Sequence, residues 1–411
     1  MIGGHGTAQT RILGAGTLAL CLAGVAVGLL ASEGIVRWAY PGLGARPLPD
    51  GALGWSTEEY QALDPAVAPR KGGRRILFVG DSFLAGAGLE DPGQRFPFVL
   101  SRISEGRIDA MILASGGWGT DQELLAYLQK GKTWQPDEVV LAFCANNDIS
   151  DIVSNGDRTK RKPYFVLGSD DGLTLHGPDG RAWDLAFAVE RKERPPRFRS
   201  RLFELARYAL FRQRDALLLP RPGDSLLDAR YSTFGRIPEH NEEIYRDQPR
   251  LTWSPQVTPT HVSAYVHDRF ELGSYQWRLL ERLLMVFARE VRASGARFTV
   301  LLLPVIYNPQ RLETVVGGSY ARTFDTPTGS FTFRAAEPQE RLLDITRRLG
   351  VEMLDPTGSF VAEVRARSLF ARVWPNPSDR HFSAVGHQIL ARHLLPLLGR
   401  PDADRSLRGG G

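Results

Sequence analysis

Residues 74–83 read RRILFVGDSF. The apolar run at 76–79 is continuous rather than alternating and is too short for a helix, so it reads as a strand covered on both faces. Glycine, Asp81 and Ser82 follow it, a turn that opens a helix. The strand thus delivers a serine hydroxyl to the edge of a sheet, where chemistry has access.

Outward from this stretch the same alternation recurs. Short apolar strands are expected at 74–79, 108–114, 138–145, 297–303 and 351–354. Thr120-Asp-Gln-Glu123 reads as a capping box opening a helix through Leu124, Leu125 and Leu128. A second helix is expected over 274–293, where Leu280, Leu283, Leu284, Phe287 and Val291 keep helical spacing, a third over 340–349, and a last one from near Ser383. Strands alternating with helices imply a parallel sheet between two helical layers, an α/β three-layer sandwich with five strands.

The totals exclude several classes. With 411 residues, 43% of them hydrophobic, the chain can fill a sizeable core. The net charge of +5 comes from scattered bases with no nucleic-acid motif, so no nucleic-acid partner is expected. Cys21 and Cys144 lie in separate apolar runs, which leaves neither a disulfide framework nor a cysteine zinc site.

The first 38 residues read as a membrane anchor. The twenty residues from Ile12 to Ala31 carry no charge, enough helix for a bilayer core of about 30 Å, and Trp38 and Tyr40 suit a headgroup boundary. A cleavable signal peptide is the rival, but cleavage after Ala31 would place Leu29 where a small residue is wanted. Arginines balance on the two sides, so positive-inside counting does not orient the span. Gly24 and Gly28 form a GxxxG spacing suited to homodimer pairing in the membrane.

Residues 39–73, rich in Pro, Gly and Ala, read as a tether, residues 74–400 as the folded domain, and 401–411 as a tail. About 125 residues separate the third strand from the helix at Ser274, so a large insertion is expected at about 158–270. It opens on KPYFVLGSDDGLTLHG, a hairpin around Asp-Gly. Residues 197–214 add an arginine-rich helix with an apolar stripe from Leu202 to Leu210, either packed on the core or lying on anionic groups.

In open α/β sheets ligands bind beyond the carboxyl ends of the strands, where strand order reverses. Those ends offer Ser82, then Gly116-Gly117-Trp118-Gly119, then Ala145-Asn146-Asn147-Asp148. The Ser82 and Gly117 backbone N–H groups and the Asn147 amide are donors suited to an oxyanion. Late in the chain, Asp379 stands two residues before His381 in DRHFSAVGH. A histidine that takes a serine proton needs a carboxylate on its other nitrogen, which gives the order Ser, Asp, His. His387 reads as a helix residue bonded to nearby backbone, Asp148 as fixing its loop, Asp121 as capping its helix, and His267-Asp268 as a pair with no supporting motif. No metal set is read from Asp379, His381 and His387, and no G-x-S-x-G elbow occurs.

These residues together resemble the SGNH/GDSL hydrolase family. Ser82 in GDSF, Gly117 in GGWGTDQEL, Asn147 in ANND and His381 in DRHFSAVGH match its four blocks in order, over roughly 74–398. Two positions depart from it. Ala145 replaces the glycine of G-x-N-D, and Ser378 stands where the family's acid usually lies, so Asp379 is similar instead to the D-x-H of membrane-associated, polysaccharide-modifying relatives. The resemblance implies a flavodoxin-like fold and a serine esterase with Ser82, Asp379 and His381 as triad, Ser82, Gly117 and Asn147 as oxyanion hole, and no cofactor. It implies a substrate that is a small ester or an acetylated glycan, and an inner-membrane, single-pass protein with its catalytic domain periplasmic or extracellular. An O-acetyltransferase using the same residues, or a non-catalytic glycan-binding or assembly protein, are the alternatives.

Overall fold

The computed structural model describes residues 6–39, 48–50, 54–56, 73–153, 162–168, 170–177, 181–190, 202, 264–267, 271–308, 311–326, 329–376 and 380–399. The chain divides into two compact units, residues 1–46 with 194–219, and residues 47–193 with 220–411.

In the first unit, the apolar run falls within α1 (Gly6–Ala39), 34 residues long. Leu20, Leu22, Val25, Val27, Leu29 and Leu30 are exposed on it, and nothing lies within 4 Å of where a Cβ would sit on Gly24 or Gly28. Near its end Glu33 is buried and accepts a hydrogen bond from the Leu202 N–H (2.9 Å). Among the described residues, no helix is long and apolar enough to cross a membrane. Apart from Leu202, the expected helix at 197–214 lies outside the described residues.

The second unit begins with two short antiparallel strands, β1 (Leu48–Asp50) and β2 (Gly54–Ser56). The sheet starts at β3 (Arg74–Gly80), followed by α2 (Ser82–Ala85), α3 (Phe96–Ile103), β4 (Ile108–Ala114), α4 (Thr120–Gln129), β5 (Glu138–Phe143) and α5 (Asp148–Asp151). Next along the chain come β6 (Tyr164–Leu167), β7 (Leu173–His176), β8 (Ala182–Trp183) and α6 (Leu185–Glu190), the strands forming one antiparallel sheet; β6 and β7 are the hairpin expected around Asp-Gly. After them run α7 (Glu271–Ala293), β9 (Arg297–Leu302), β10 (Ala321–Thr326), β11 (Gly329–Arg334), α8 (Glu337–Arg348), β12 (Glu352–Leu354), α9 (Thr357–Ala366), α10 (Phe370–Val373) and α11 (Ala384–Leu398).

Five parallel strands pair in the order β12-β9-β5-β3-β4. Counted along the chain this is 2-1-3-4-5, the flavodoxin-like order. The chain steps from β3 out to β4 and then back across to β5. Right-handed crossovers in opposite directions place α3 on one face and α4 on the other. On those faces α3 packs with α11, and α4 with α7. Ile76, Leu77, Phe78 and Val79 are wholly buried, as a strand covered on both sides requires.

Three local readings change. The helix after the second strand has Gly119, not Thr120, at its N-cap, and no side chain caps it. A Cβ at Gly119 would come within 2.8 Å of the Asp151 Cβ, so the chain turns where only glycine fits. Asp121 divides its carboxylate: in the first turn Oδ1 accepts the Gln122 N–H (2.9 Å), while Oδ2 pairs with Lys162 instead of serving the helix alone. The third strand stops at Phe143, because Cys144 turns off to donate its N–H to Asp148 Oδ2 (2.7 Å).

Candidate active site

Reversal of strand order falls between β3 and β5, and the residues that follow these two strands line that crevice. Gly80 ends β3 with no room for a side chain; a Cβ there would meet Leu84 at 3.1 Å and the Ala142 Cβ at 3.2 Å. Asp81 caps the short helix, its Oδ1 accepting the Phe83 N–H (2.9 Å), and half-buried Ser82 is the helix's first residue. Gly86, at φ +77°, ends that helix in the left-handed region.

From 299 residues further along, His381 Nε2 reaches Ser82 Oγ at 2.8 Å. Its ring lies against Phe83, centroids 4.5 Å apart, and Phe382 meets Phe83 edge-on at 5.4 Å. Ser383 then caps α11 by accepting the Val385 N–H (3.2 Å), and its own N–H donates to the Val373 carbonyl (2.9 Å). These contacts fix the loop that carries the imidazole.

His387 sits one turn into α11 and is 1% exposed. Its Nδ1 accepts the Phe96 N–H (3.2 Å), one of the donors that the start of α3 leaves without a helical partner. The ring stacks on Phe96 and meets Phe382 edge-on. Burial, with His381 and Arg95 nearby, lowers its pKa to about 3, so the ring is neutral. The expected role, a helix residue bonded to backbone, is the observed one.

The glycine loop after β4 comes alongside the serine: a Cβ on Gly116 would stand 3.9 Å from the Ser82 Cβ. Gly117 is exposed with φ +75°, a conformation that favours glycine. After β5, Asn147 donates its N–H to the Cys144 carbonyl (3.3 Å) and its side-chain Nδ2 to Asp151 Oδ2 (3.3 Å). The Asn147 amide also eases the charge on Asp81, which places it beside the residue preceding the nucleophile. Ala145 is buried in the turn, and Asn146 bonds the Ile306 carbonyl (3.1 Å) and Tyr265. Ser82 and His381 are therefore in contact, and the loops of Gly117 and Asn147 are gathered at the same sheet edge. Asp379 and Ser378 lie outside the described residues. His267 stands on the surface with its Nδ1 2.8 Å from Glu337 Oε2 and 3.0 Å from Arg334 Nη1, and its neighbour Asp268 lies outside the described residues.

Several residues at this edge carried no sequence signal. Arg380, next to the imidazole, lays its guanidinium over the Tyr307 ring (5.2 Å), and Tyr307 belongs to a buried aromatic group with Tyr265 and Phe333. Lys162, 1% exposed, pairs with buried Asp121. Burial raises Asp81, with the Phe83 N–H and His381 as partial offsets, and it raises Glu123 and Asp148 well above the usual carboxylate range. A buried lysine is visible in sequence only once its carboxylate partner is known.

No protein-family model and no curated protein matches the sequence. Solved structures similar to it include a lipase/acylhydrolase from Enterococcus faecalis, at 11% identity over 79% of this chain and 95% of that one, TM-score 0.36. Another is the acetyl xylan esterase AlAXEase, at 8% identity over 79% and 99%, TM-score 0.35. A third is a catalytic mutant of Axe2, an acetylxylan esterase from Geobacillus stearothermophilus, at 14% identity over 80% and 97%, TM-score 0.36. Likeness at this level speaks to neither activity nor substrate. Strand order and the Ser82–His381 contact make the described residues between 74 and 398 a flavodoxin-like α/β sandwich with a serine and a histidine in contact at its switch point.

Proposed function

We propose that the protein is a serine esterase working through an acyl-serine intermediate. The observation that carries the reading is the 2.8 Å contact between Ser82 Oγ and His381 Nε2 at the switch point of the sheet. His381 takes the hydroxyl proton as Ser82 Oγ bonds to the ester carbonyl carbon. The carbonyl oxygen becomes an anion facing the Ser82 and Gly117 N–H groups and the Asn147 amide, which turns from Asp151 to reach it. Collapse breaks the ester C–O bond, and His381 returns the proton to the leaving alcohol. Water, deprotonated by His381, then releases the acid and restores the serine. Asp379 holds the other imidazole nitrogen.

The acyl group in this reading is acetyl on carbohydrate, following the D-x-H resemblance to polysaccharide-modifying relatives. The N-terminal segment holds the domain at the inner membrane, facing the periplasm or exterior. The exposed apolar side chains of α1 support that placement, and its open Gly24/Gly28 face supports pairing.

A fluorophosphonate probe should label the wild type at Ser82 and leave Ser82→Ala unlabelled; an unlabelled wild type sinks the reading in favour of a binding protein. Asp379→Asn should lower turnover about 10⁴-fold, as where an acid fixes a catalytic tautomer, while Ser378→Ala should not. Acetyl release assayed with and without an acceptor glycan separates hydrolysis from transfer. Removing residues 1–38 should shift the protein from membrane to soluble fractions.

A further inference from the structure

Around Asp81, the residue before the nucleophile, the fold buries a cluster of carboxyl groups. Asp81, Asp121, Glu123 and Asp148 are all fully buried. Glu123 is faced by Asp81, Asp121 and Asp151, and Asp148 by Glu123, Asp81 and Asp151. The Cys144 thiol lies against Asp81 and Asp148, and His381 faces Asp81 from the other side. Both Glu123 carboxyl oxygens, Asp148 Oδ1 and Asp81 Oδ2 accept no hydrogen bond of ordinary geometry, although the Thr120 hydroxyl leans toward Glu123.

Among the described residues, Lys162 brings a cation into this cluster. Lys162, just before β6, is 1% exposed and bonds Asp121 Oδ2 through Nζ. A buried ammonium is costly unless well paired, and here the partner is an equally buried acid. An oxyanion forming at Ser82 feels every net charge near it. For scale, a unit negative charge at about 8 Å from a forming anion, at an effective dielectric near 20, would slow its formation about 30-fold.

We propose that Lys162 is a positioning residue for the reaction at Ser82: carried in by the segment before β6, it neutralises Asp121 and keeps the carboxyl cluster around Asp81 at a charge that permits an oxyanion. The proposal rests on the serine-esterase reading. It also gives the segment before β6 a task, since that segment supplies the ammonium that pairs with Asp121. Burial and facing carboxylates push Glu123 and Asp148 well above the ordinary carboxylate range, toward the protonated form. Burial raises Asp121 as well, and Lys162 is the partner that pulls it back toward ionisation.

The test measures kcat and KM for p-nitrophenyl acetate from about pH 5 to pH 9 in the wild type, Lys162→Met, Lys162→Arg and the double variant Lys162→Met/Asp121→Asn. Without the ammonium, Asp121 keeps a proton at low pH and loses it as pH rises. Lys162→Met should therefore lose about 30-fold in kcat at the alkaline end, much less at the acid end, with KM within about twofold. Lys162→Arg and the double variant should return to within about threefold of wild type at every pH. Three results overturn the proposal: a Lys162→Met profile parallel to wild type, a loss equal at all pH values, as a packing role would give, or a double variant no better than the single. Should Lys162→Met fail to fold, the double variant decides, and one that neither folds nor turns over counts against the proposal. A wild type without turnover removes the esterase reading and this inference together.

Discussion

His381 and His387 stand six residues apart at the entrance of one helix, and the fold gives them opposite surroundings. His381 is half-buried at the sheet edge with its Nε2 on a serine hydroxyl, where a proton can be exchanged. His387 is enclosed between α11 and α3, neutral, its Nδ1 spent on a backbone N–H. The same side chain serves chemistry in one region and structure in the other. The decisive variable is access to a second exchangeable group.

Substitutions can break or sharpen this contrast. The largest expected effect is at the front: His381→Ala or Ser82→Ala should lower kcat by at least about 10⁴-fold while leaving the unfolding midpoint nearly unchanged. Asn147→Ala should follow, with a loss of about 10²- to 10³-fold in kcat, read on the same ester substrate. At the back the readout reverses. Because the folded pKa of His387 is depressed from 6.5 to about 3, its neutral burial favours the fold fully above pH 6.5, and that contribution is lost as pH falls toward 3. Denaturant titrations at pH 7.5 and 4.5 should show this group alone costing the wild type about 3 kcal/mol at the lower pH, and His387→Gln should lack that loss. An equal acid sensitivity in His387→Gln would show that another group carries it. Smallest is Gly86→Ala, where φ is +77° and Arg95 crowds the added carbon; about 1 kcal/mol of stability should go, with kcat within about threefold.

Much of this was legible in the sequence because it is local. The five sheet strands fall within a residue or two of the apolar runs that announced them, and GDSF and DRHF sit at chain positions where a buried strand or a helix cap leaves little freedom. The β6/β7 hairpin was equally readable from its Asp-Gly centre. What escaped depends on distant partners. Thr120 and Glu123 make a sound capping box on paper, but the Asp151 side chain, arriving from after β5, sets the turn at Gly119 instead. Asp121 serves the first turn of its helix as read, but its second oxygen belongs to Lys162, 41 residues away. The β10/β11 hairpin carries Phe333 onto Tyr265 and Tyr307, and no periodicity in residues 321–334 reveals that destination.

Ser82 and His381 are separated by 299 positions, nearly the whole length of the folded unit. Bringing such distant points together in a flexible chain costs about 5 kcal/mol in loop entropy, offset only once the intervening sheet is assembled. During synthesis the hydroxyl is made 299 residues before the imidazole, so a nascent polypeptide holds an inert serine until α11 docks.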